Sequence, residues 1–286
     1  MNHSQTISID MLVCPGCKSR LERGLYTLRC PSCRLNYSMT RGIADFIDPA
    51  GPSPRAAGNV QPDHDPGTFL SRLPNNALSN LVQELYSKID ARIYETPLWW
   101  PRLVRQLALT TEFTADDLIA RIVSKARVDN GLILDVASGP ATLGRRLAPA
   151  SRGVFAIDMV SSMLEWGASL ASRERIANIQ FARAKADALP FTNAVFDAAT
   201  FGGALHWMPT PAVALGEIAR TLKRGAPLCG YTVLAGQRSE VCRKIARRGG
   251  HLFQPEELEA YLVGAGFTQV ELDKIGELVV FYANRL

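Results

Sequence analysis

From residue 115 onward, apolar positions follow two alternating patterns, one with helical spacing and one with short continuous apolar runs. Short runs bounded by polar or turn residues are typical of strands covered on both faces. The patterns predict helices at 115–127, 141–148, 161–172, 211–222 and 255–265, and strands at 131–136, 153–157, 178–182, 195–201, 226–234, 267–273 and 276–284. Because helices alternate with strands, the sequence predicts an α/β fold with a mostly parallel sheet.

The last two predicted strands break this alternation, because only Lys274 and Ile275 separate them. So short a connection has no room for a crossover helix. We therefore expect an antiparallel hairpin at one edge of the sheet.

The chain before residue 115 has a different organisation. The segment from Pro49 to Pro74 is rich in proline and glycine and poor in large apolar residues, as linkers are. Helical apolar spacing follows at 78–89 and 98–107, and we expect these helices to cover the main domain. The predicted divisions are a small module at 1–48, a linker at 49–76 and a main domain at 77–286 that includes the covering helices.

The N-terminal module carries two C-P-x-C motifs, Cys14 to Cys17 and Cys30 to Cys33, with twelve residues between them. Two such turns can place four thiolates around one tetrahedral ion and leave no open coordination position. The residues at 21–29 are predicted to form a hairpin. A module this small cannot bury a sufficient core, so metal binding would supply its folding energy. Zinc is the expected ion, with iron and a pair of disulfides as the alternatives.

The distribution of charged residues is a weaker indication of what the protein binds. The formal net charge is +5 and the sequence pI is about 9.0. The excess is concentrated in two groups, Lys18, Arg20, Arg23, Arg29 and Arg34 around the cysteines, and Arg243, Lys244, Arg247 and Arg248 on a predicted helix. Either group could be a solvated face or could bind anions such as RNA.

The N-terminus, Met1 to Asp10, is polar, and no apolar run is long enough to span a membrane. We expect a cytoplasmic protein without membrane contact. Cys229 and Cys242 are then expected to be buried or free thiols.

Ligands of open parallel sheets bind at the carboxyl ends of the strands. The first strand of the main domain ends near Asp135 and is followed by a turn of small residues at 136–142, which would let backbone N–H groups approach a ligand. The second strand ends at Asp158, whose carboxylate could accept hydrogen bonds from a ribose. These positions predict a nucleotide-type site.

These motifs resemble the class I methyltransferases that use S-adenosylmethionine. Asp135 and Gly139 match the acid and the central glycine of that family's D-x-G-x-G-x-G loop, and the 186–191 segment, A-D-A-L-P-F, resembles its "D-A-x-x-L-P-F" segment. The resemblance implies a Rossmann-like, seven-stranded sheet, in which Asp158 holds the ribose and Asp187 the adenine amino group. The cofactor-binding residues that it implies are Asp135, Ala137, Gly139, Asp158, Met159, Ala186, Asp187, Ala188 and Gly202.

The loop departs from the family pattern, because Ala137 and Ala141 replace its outer glycines and Pro140 lies between them. The added methyl groups would crowd a cofactor, or would be tolerated if the backbone keeps a negative φ. A protein without methyl transfer, or with a modified cofactor, is the alternative that this departure leaves open.

The N-terminal module resembles that of ribosomal RNA guanine methyltransferases and of zinc-ribbon methyltransferases without an assigned substrate. Ala204 to Trp207, A-L-H-W, and Ala91 to Tyr94 resemble segments of quinone and other small-molecule methyltransferases. The sequence therefore favours a small-molecule acceptor, with RNA as the second hypothesis.

The sulfonium of the cofactor is already a good leaving group, so alignment of the reactants in a dry pocket is the main requirement for methyl transfer. Where the acceptor must lose a proton, an imidazole could accept it. The candidate catalytic residues are His206, His251 and Tyr94, and Trp99 and Trp100 are candidates for the acceptor pocket.

Overall fold

Eleven strands form one sheet in the computed structural model, which describes residues 9–50, 92, 96, 99–236 and 238–286. The strands are β1 Glu22–Arg23, β2 Thr27–Arg29, β3 Asn36–Thr40, β4 Ile43–Asp45, β5 Leu132–Val136, β6 Gly153–Asp158, β7 Ile179–Arg183, β8 Ala198–Gly202, β9 Pro227–Val233, β10 Phe267–Ile275 and β11 Leu278–Arg285. Their order across the sheet is β1-β2-β3-β4-β7-β6-β5-β8-β9-β11-β10. The seven strands β5 to β11 form the predicted main sheet, in which β5 to β9 are parallel neighbours and β10 and β11 pair antiparallel.

Helices cover both faces of this sheet. They are α1 Trp100–Ala108, α2 Ala115–Ala126, α3 Thr142–Leu147, α4 Ser161–Arg173, α5 Pro211–Thr221, α6 Glu240–Arg247 and α7 Pro255–Gly264. One core joins α1, α2, α3 and α6 to the sheet, and another joins α5 and α7 to the opposite face. The predicted α/β architecture is confirmed. Among the described helices, none has the length and apolar content needed to cross a bilayer.

Local sequence signals explain where several helices begin. Thr114 precedes α2, and its side chain accepts from the backbone N–H of Asp117, whose carboxylate in turn accepts from the N–H of Thr114. This reciprocal pair satisfies N–H groups that have no partner within the helix. Pro211 and Pro255 begin α5 and α7, where the missing proline N–H removes no helical hydrogen bond.

The C-terminal hairpin forms as predicted, but its turn was misplaced. β10 extends through Ile275, which pairs with Leu278, so Gly276 and Glu277 form the turn. Gly276 has a φ of +64°, and a Cβ there would lie 2.4 Å from the carbonyl oxygen of Ala108. A turn at this position therefore requires glycine.

The cysteine module extends the main sheet. Its predicted hairpin is present as β1 and β2, and β4 pairs in parallel with β7 through Ala44 with Ala182 and Asp45 with Arg183. Leu28 and Tyr37 are buried in the core that also contains α5 and α7. Of the predicted linker at 49–76, only Pro49 and Ala50 are described, and the helix predicted at 78–89 lies outside the described residues.

The turn after β5 adopts the conformation of a glycine loop although two of its glycines are replaced. Ala137, Gly139 and Ala141 have φ angles of +49°, +54° and +58°. Of the two alternatives for these alanines, accommodation at a negative φ therefore does not apply. The left-handed region brings an L-residue's Cβ close to the following carbonyl oxygen, which costs about 1–2 kcal/mol per residue. Ala137 and Ala141 hold this strain beside the strand ends.

We expect Ala137→Gly to raise the free energy of unfolding by up to about 1 kcal/mol, because relief of the left-handed strain exceeds the entropy gained by the unfolded chain. Urea denaturation of the two proteins measures the difference. Ala120→Gly is the control, because Ala120 is an exposed residue within α2. That substitution should lower stability by about 1 kcal/mol. A loss of stability in Ala137→Gly equal to that of the control would contradict the assignment of strain.

Candidate cofactor site and cysteine centre

A cleft opens where β5, β6 and β8 end at the same edge of the sheet. It contains about 890 Å³ of empty space, part of it open to solvent. Its lining comprises Ala137, Gly139, Asp158, Met159, Val160, Met163, Ala184, Lys185, Ala186, Asp187, Gly202, Gly203, Ala204, Trp207, Met208 and Pro209. The structure thus brings together most of the residues predicted to bind the cofactor, with Asp135 and Ala188 as the exceptions.

Asp158 organises the side of the cleft formed by the end of β6. Its carboxylate accepts hydrogen bonds from the backbone N–H of Gly139 at 2.8 Å and from that of Val160 at 2.8 Å. Burial raises the pKa of Asp158 above its usual value, against the opposing effect of these N–H groups. Each carboxylate oxygen keeps a further lone pair that could accept from a ligand hydroxyl. Asp158 therefore links the loop after β5 to the cleft and remains available to a ligand.

Asp187 lines the same cleft from the segment that follows β7. The N–H of Ala188 donates to the carbonyl of Lys185 at 3.2 Å, which closes a turn around Asp187. Ala188 itself does not line the cleft. The N–H of Ala184 donates to the carbonyl of Asp158 at 3.0 Å, so this segment and the end of β6 are directly connected. Two of the three aspartates singled out in the sequence therefore share one cavity.

Asp135 occupies a different position. It is 1% exposed, and its carboxylate accepts from the Thr200 hydroxyl at 2.7 Å and from the Gly144 N–H at 2.9 Å. Burial raises the pKa of Asp135 to about 6, although both hydrogen bonds favour the charged form. Gly144 lies in α3, so Asp135 anchors the helix that follows the loop.

The structure places Asp135 beside a second, smaller cavity rather than in the lining of the cleft. Ala137 and Gly202 line both cavities, so the two adjoin. Asp135 lines the second cavity and not the cleft, so its direct contact with a cofactor stays a prediction.

His206 is 5% exposed and does not line the cleft. Its Nδ1 lies 3.3 Å from the Thr232 hydroxyl, and burial lowers its pKa to about 3. The imidazole is therefore neutral at physiological pH. The following residue, Trp207, lines the cleft instead. This geometry does not support His206 as the group that accepts a proton from the substrate.

His251, the second candidate catalytic residue, also lies outside the cleft. His251 Nε2 lies 2.8 Å from a carboxylate oxygen of Glu257, and its ring centroid is 4.4 Å from that of Phe253. It does not line the cleft. Tyr94 lies outside the described residues.

The two tryptophans differ in their surroundings. Trp100 lines the second cavity, where its ring centroid is 5.7 Å from that of Tyr231. Trp99 is the residue that caps α1 and lines neither cavity. Only Trp100 therefore fits the prediction of a pocket tryptophan, and it lies beside the second cavity.

Several residues of the cleft were not predicted from the sequence, among them Met163, Lys185, Met208 and Pro209. Met163 lies in the first turn of α4, and the sequence pattern explains it as a core position of an amphipathic helix. Met208 and Pro209 directly follow the quoted A-L-H-W segment. Their position directly after this segment could have identified these two residues as part of the cleft.

The four N-terminal cysteines converge as their spacing predicts. The Sγ atoms of Cys14, Cys17, Cys30 and Cys33 all lie within 4.8 Å of one another, and all four are free thiols. Each C-P-x-C turn is closed by a backbone hydrogen bond, from Lys18 N to Cys14 O at 2.8 Å and from Arg34 N to Cys30 O at 2.9 Å. Four Zn–S bonds of about 2.3 Å in a tetrahedron place sulfurs roughly 3.8 Å apart, so this cluster fits one such ion after a small adjustment.

Docking of the module uses some of the charge that the sequence had suggested for anion binding. Lys18 Nζ donates to a carboxylate oxygen of Glu217 at 2.8 Å and to the carbonyl of Leu189 at 3.2 Å.

The second basic group, on α6, is partly paired with acid, because Arg243 and Arg247 both lie within 4 Å of Glu240. The arginines at 20, 23, 29 and 34 remain exposed.

Comparison with known proteins gives consistent matches to methyltransferases. Residues 133–225 match the family described as a methyltransferase domain. An uncharacterised chloroplastic methyltransferase of Arabidopsis thaliana is 29% identical over 214 residues, which are 69% of this chain and 60% of that protein. The ubiquinone/menaquinone biosynthesis C-methyltransferase of Rhizobium etli is 41% identical over 100 residues, which are 34% of this chain and 39% of the relative. The chain thus spans less than two thirds of either relative.

A solved structure also matches this chain in its fold. The geranyl diphosphate C-methyltransferase of Streptomyces coelicolor superposes with a TM-score of 0.58 at 12% identity, over 75% of this chain and 100% of that one. At this identity the match concerns the fold alone. The sequence matches show that this chain contains a methyltransferase domain, and the solved structure shows that the two chains share a fold.

Proposed function

We propose that this protein transfers a methyl group from S-adenosylmethionine to a small, apolar acceptor at the cleft. The observation that carries the proposal is the convergence of Asp158 and Asp187 on one cavity at the carboxyl ends of the parallel strands. Two partly buried carboxylates in an otherwise largely apolar cleft favour a ligand with polar groups, which would offset more of their desolvation.

The residues of the cleft fit an adenosine-bearing cofactor. Asp158 would accept from the ribose hydroxyls and Asp187 from the adenine amino group. Gly139 has open space where a Cβ would lie, so its backbone leaves room for a ligand. S-adenosylmethionine supplies a methyl group on a positively charged sulfur, which leaves as a neutral thioether. The protein then has to hold the reactants in line and exclude water.

The other residues that line the cleft indicate what kind of acceptor it would bind. Met163, Trp207, Met208 and Pro209 present apolar surface to the cleft. The described lining contains no histidine, which favours positioning over proton abstraction by an imidazole. The Rhizobium relative is named for ubiquinone and menaquinone biosynthesis, and this name supports an apolar acceptor.

Cofactor binding is the first test. Isothermal titration with S-adenosylmethionine should show one site per chain, and Asp158→Ala should weaken binding about tenfold to a hundredfold, as expected for the loss of hydrogen bonds to a charged group. Asp129→Ala is the control, because Asp129 is exposed and pairs with Arg127 on the surface. Absence of binding by the folded wild-type protein would contradict the proposal and favour a catalytically silent protein.

We also propose that the four cysteines hold one structural Zn²⁺. The four thiolates leave no coordination position for a substrate, so the ion would stabilise the module without taking part in methyl transfer. The cluster of free thiols with both turns closed supports this assignment.

Elemental analysis of freshly purified protein should find about one zinc per chain, as expected for a four-cysteine structural site. Cys30→Ala should lose the metal, because three thiolates cannot complete the shell. Cys229→Ala should keep it, because Cys229 is buried in β9, outside the cluster. Protein that holds neither zinc nor iron would refute the site.

RNA methylation is a second candidate, favoured by one surface of the module. The turn between β1 and β2 exposes 86% of Leu25 and 71% of Tyr26, with the exposed Arg23 and Arg29 on either side. Exposed aromatic rings that alternate with arginines can stack on unpaired bases and contact phosphates.

Salt dependence separates the two candidate substrates. If RNA is the acceptor, binding of a structured ribosomal RNA fragment should weaken steeply between 50 and 200 mM salt, by roughly tenfold or more even for a few phosphate contacts. Tyr26→Ala should weaken it further, because stacking is lost. Binding too weak to detect at 50 mM salt would eliminate this candidate.

A further inference from the structure

Arg183, the last residue of β7, lies between the cysteine module and the cleft. The sheet register places Asp45 of β4 on one side of Arg183 and Asp158 of β6 on the other. All three strands are parallel, so these three residues lie side by side at their carboxyl ends. Arg183 is therefore the residue through which the module meets the β6 side of the cleft.

Arg183 is only 9% exposed, and its guanidinium contacts both the cysteine module and the residue that follows β6. It donates to Asp45 at 2.8 Å and to Asp48, both in the module. Its Nε donates to the carbonyl of Met159 at 3.0 Å. Met159 lines the cleft and follows Asp158 directly. The planar fork of an arginine can make these bonds simultaneously, whereas a lysine ammonium cannot reproduce the geometry.

The contact orients the group proposed to hold the ribose. The Met159 carbonyl belongs to the turn in which the Val160 N–H donates to Asp158. The same carboxylate accepts from Gly139, so displacement of this turn would also release the loop after β5. A shift of the Met159 carbonyl would thus change both partners of Asp158.

The module contacts the opposite side of the cleft through separate bonds. Val13 N donates to Pro190 O at 2.9 Å, and Thr192 N donates to Met11 O at 2.9 Å. Pro190 and Thr192 lie three and five residues after the 184–187 segment that lines the cleft. The module is therefore bonded to the segments after β6 and after β7, both of which carry a proposed cofactor aspartate.

We propose that Arg183 is a positioning residue that couples the docked cysteine module to the cofactor cleft, so that cofactor affinity depends on the contact between Arg183, Asp45 and Met159. The proposal rests on the proposed function for its effect on the cofactor. Arg183 touches no reacting atom, so its loss raises the KM for the cofactor and the dissociation constant while it changes kcat little.

The test compares the full-length, metal-loaded wild-type protein with Arg183→Lys, Asp45→Asn and Arg121→Lys. Arg121 pairs with Asp273 between α2 and β10 and lines no part of the cleft, so its variant is the matched control. Titration with S-adenosylhomocysteine measures affinity, and thermal unfolding measures stability. Arg183→Lys and Asp45→Asn should bind roughly three- to thirtyfold more weakly, whereas the control binds as wild type.

Hydrogen exchange without any ligand gives the second readout. The amides of Val160 and Gly139 should exchange faster in Arg183→Lys than in wild type, because their acceptor Asp158 is no longer held in place. Wild-type exchange and affinity in that variant would overturn the proposal. Loss of the folded state in both Arg183→Lys and Asp45→Asn would also overturn it, because Arg183 would then act on global stability.

The two hypotheses fail in different ways. If the wild-type protein binds no S-adenosylhomocysteine but exchange accelerates in Arg183→Lys, the cofactor proposal is wrong and the positioning of the turn stands. If the wild-type protein binds and Arg183→Lys binds equally well with unchanged exchange, the positioning proposal is wrong and the cofactor proposal stands.

Discussion

The parallel pairing of β4 with β7 is the contact on which the arrangement of the described residues depends. Without β4, β7 would be the edge of the main sheet, and its unpaired N–H and C=O groups would be open to other chains. The cysteine module covers that edge and shares its core with α5 and α7. A module too small to bury a core alone thereby gains one, and the main sheet gains a covered edge.

The parallel pairing of β5 with β6 explains why backbone strain lies beside the cleft. Parallel strands end at one edge, where N–H groups of the loops can point at a shared carboxylate. Asp158 accepts two of them, and the loop reaches it only with three residues in the left-handed region. Two of these are alanines, so the loop is held by its surroundings against its own preference. A loop held in this way is already ordered before a ligand arrives, which lowers the entropy lost on binding.

The helices and strands of the main domain can largely be predicted from the sequence. The patterns that predict them are formed by residues close together in the chain. Apolar spacing and short turns place β5 to β11 within a few residues, and the cysteine spacing anticipates the four-thiol cluster. The docking of the module could not be read in this way, because the partners Asp45 and Arg183 are 138 residues apart. The direction in which a side chain points also could not be predicted from the sequence. His206 lies at the correct edge, but the short helical turn at 205–207 directs it into the core and leaves Trp207 in the cleft.

The central claim is that one cavity at the strand ends receives an adenosine-bearing cofactor between Asp158 and Asp187. A crystal structure of the metal-loaded protein with S-adenosylhomocysteine tests it most directly. The account predicts ribose hydroxyls within hydrogen-bond distance of Asp158, the adenine amino group at Asp187, and the sulfur directed at space near Trp207 and Met208. Cofactor density at any other site, or an empty cleft at saturating ligand, would contradict it.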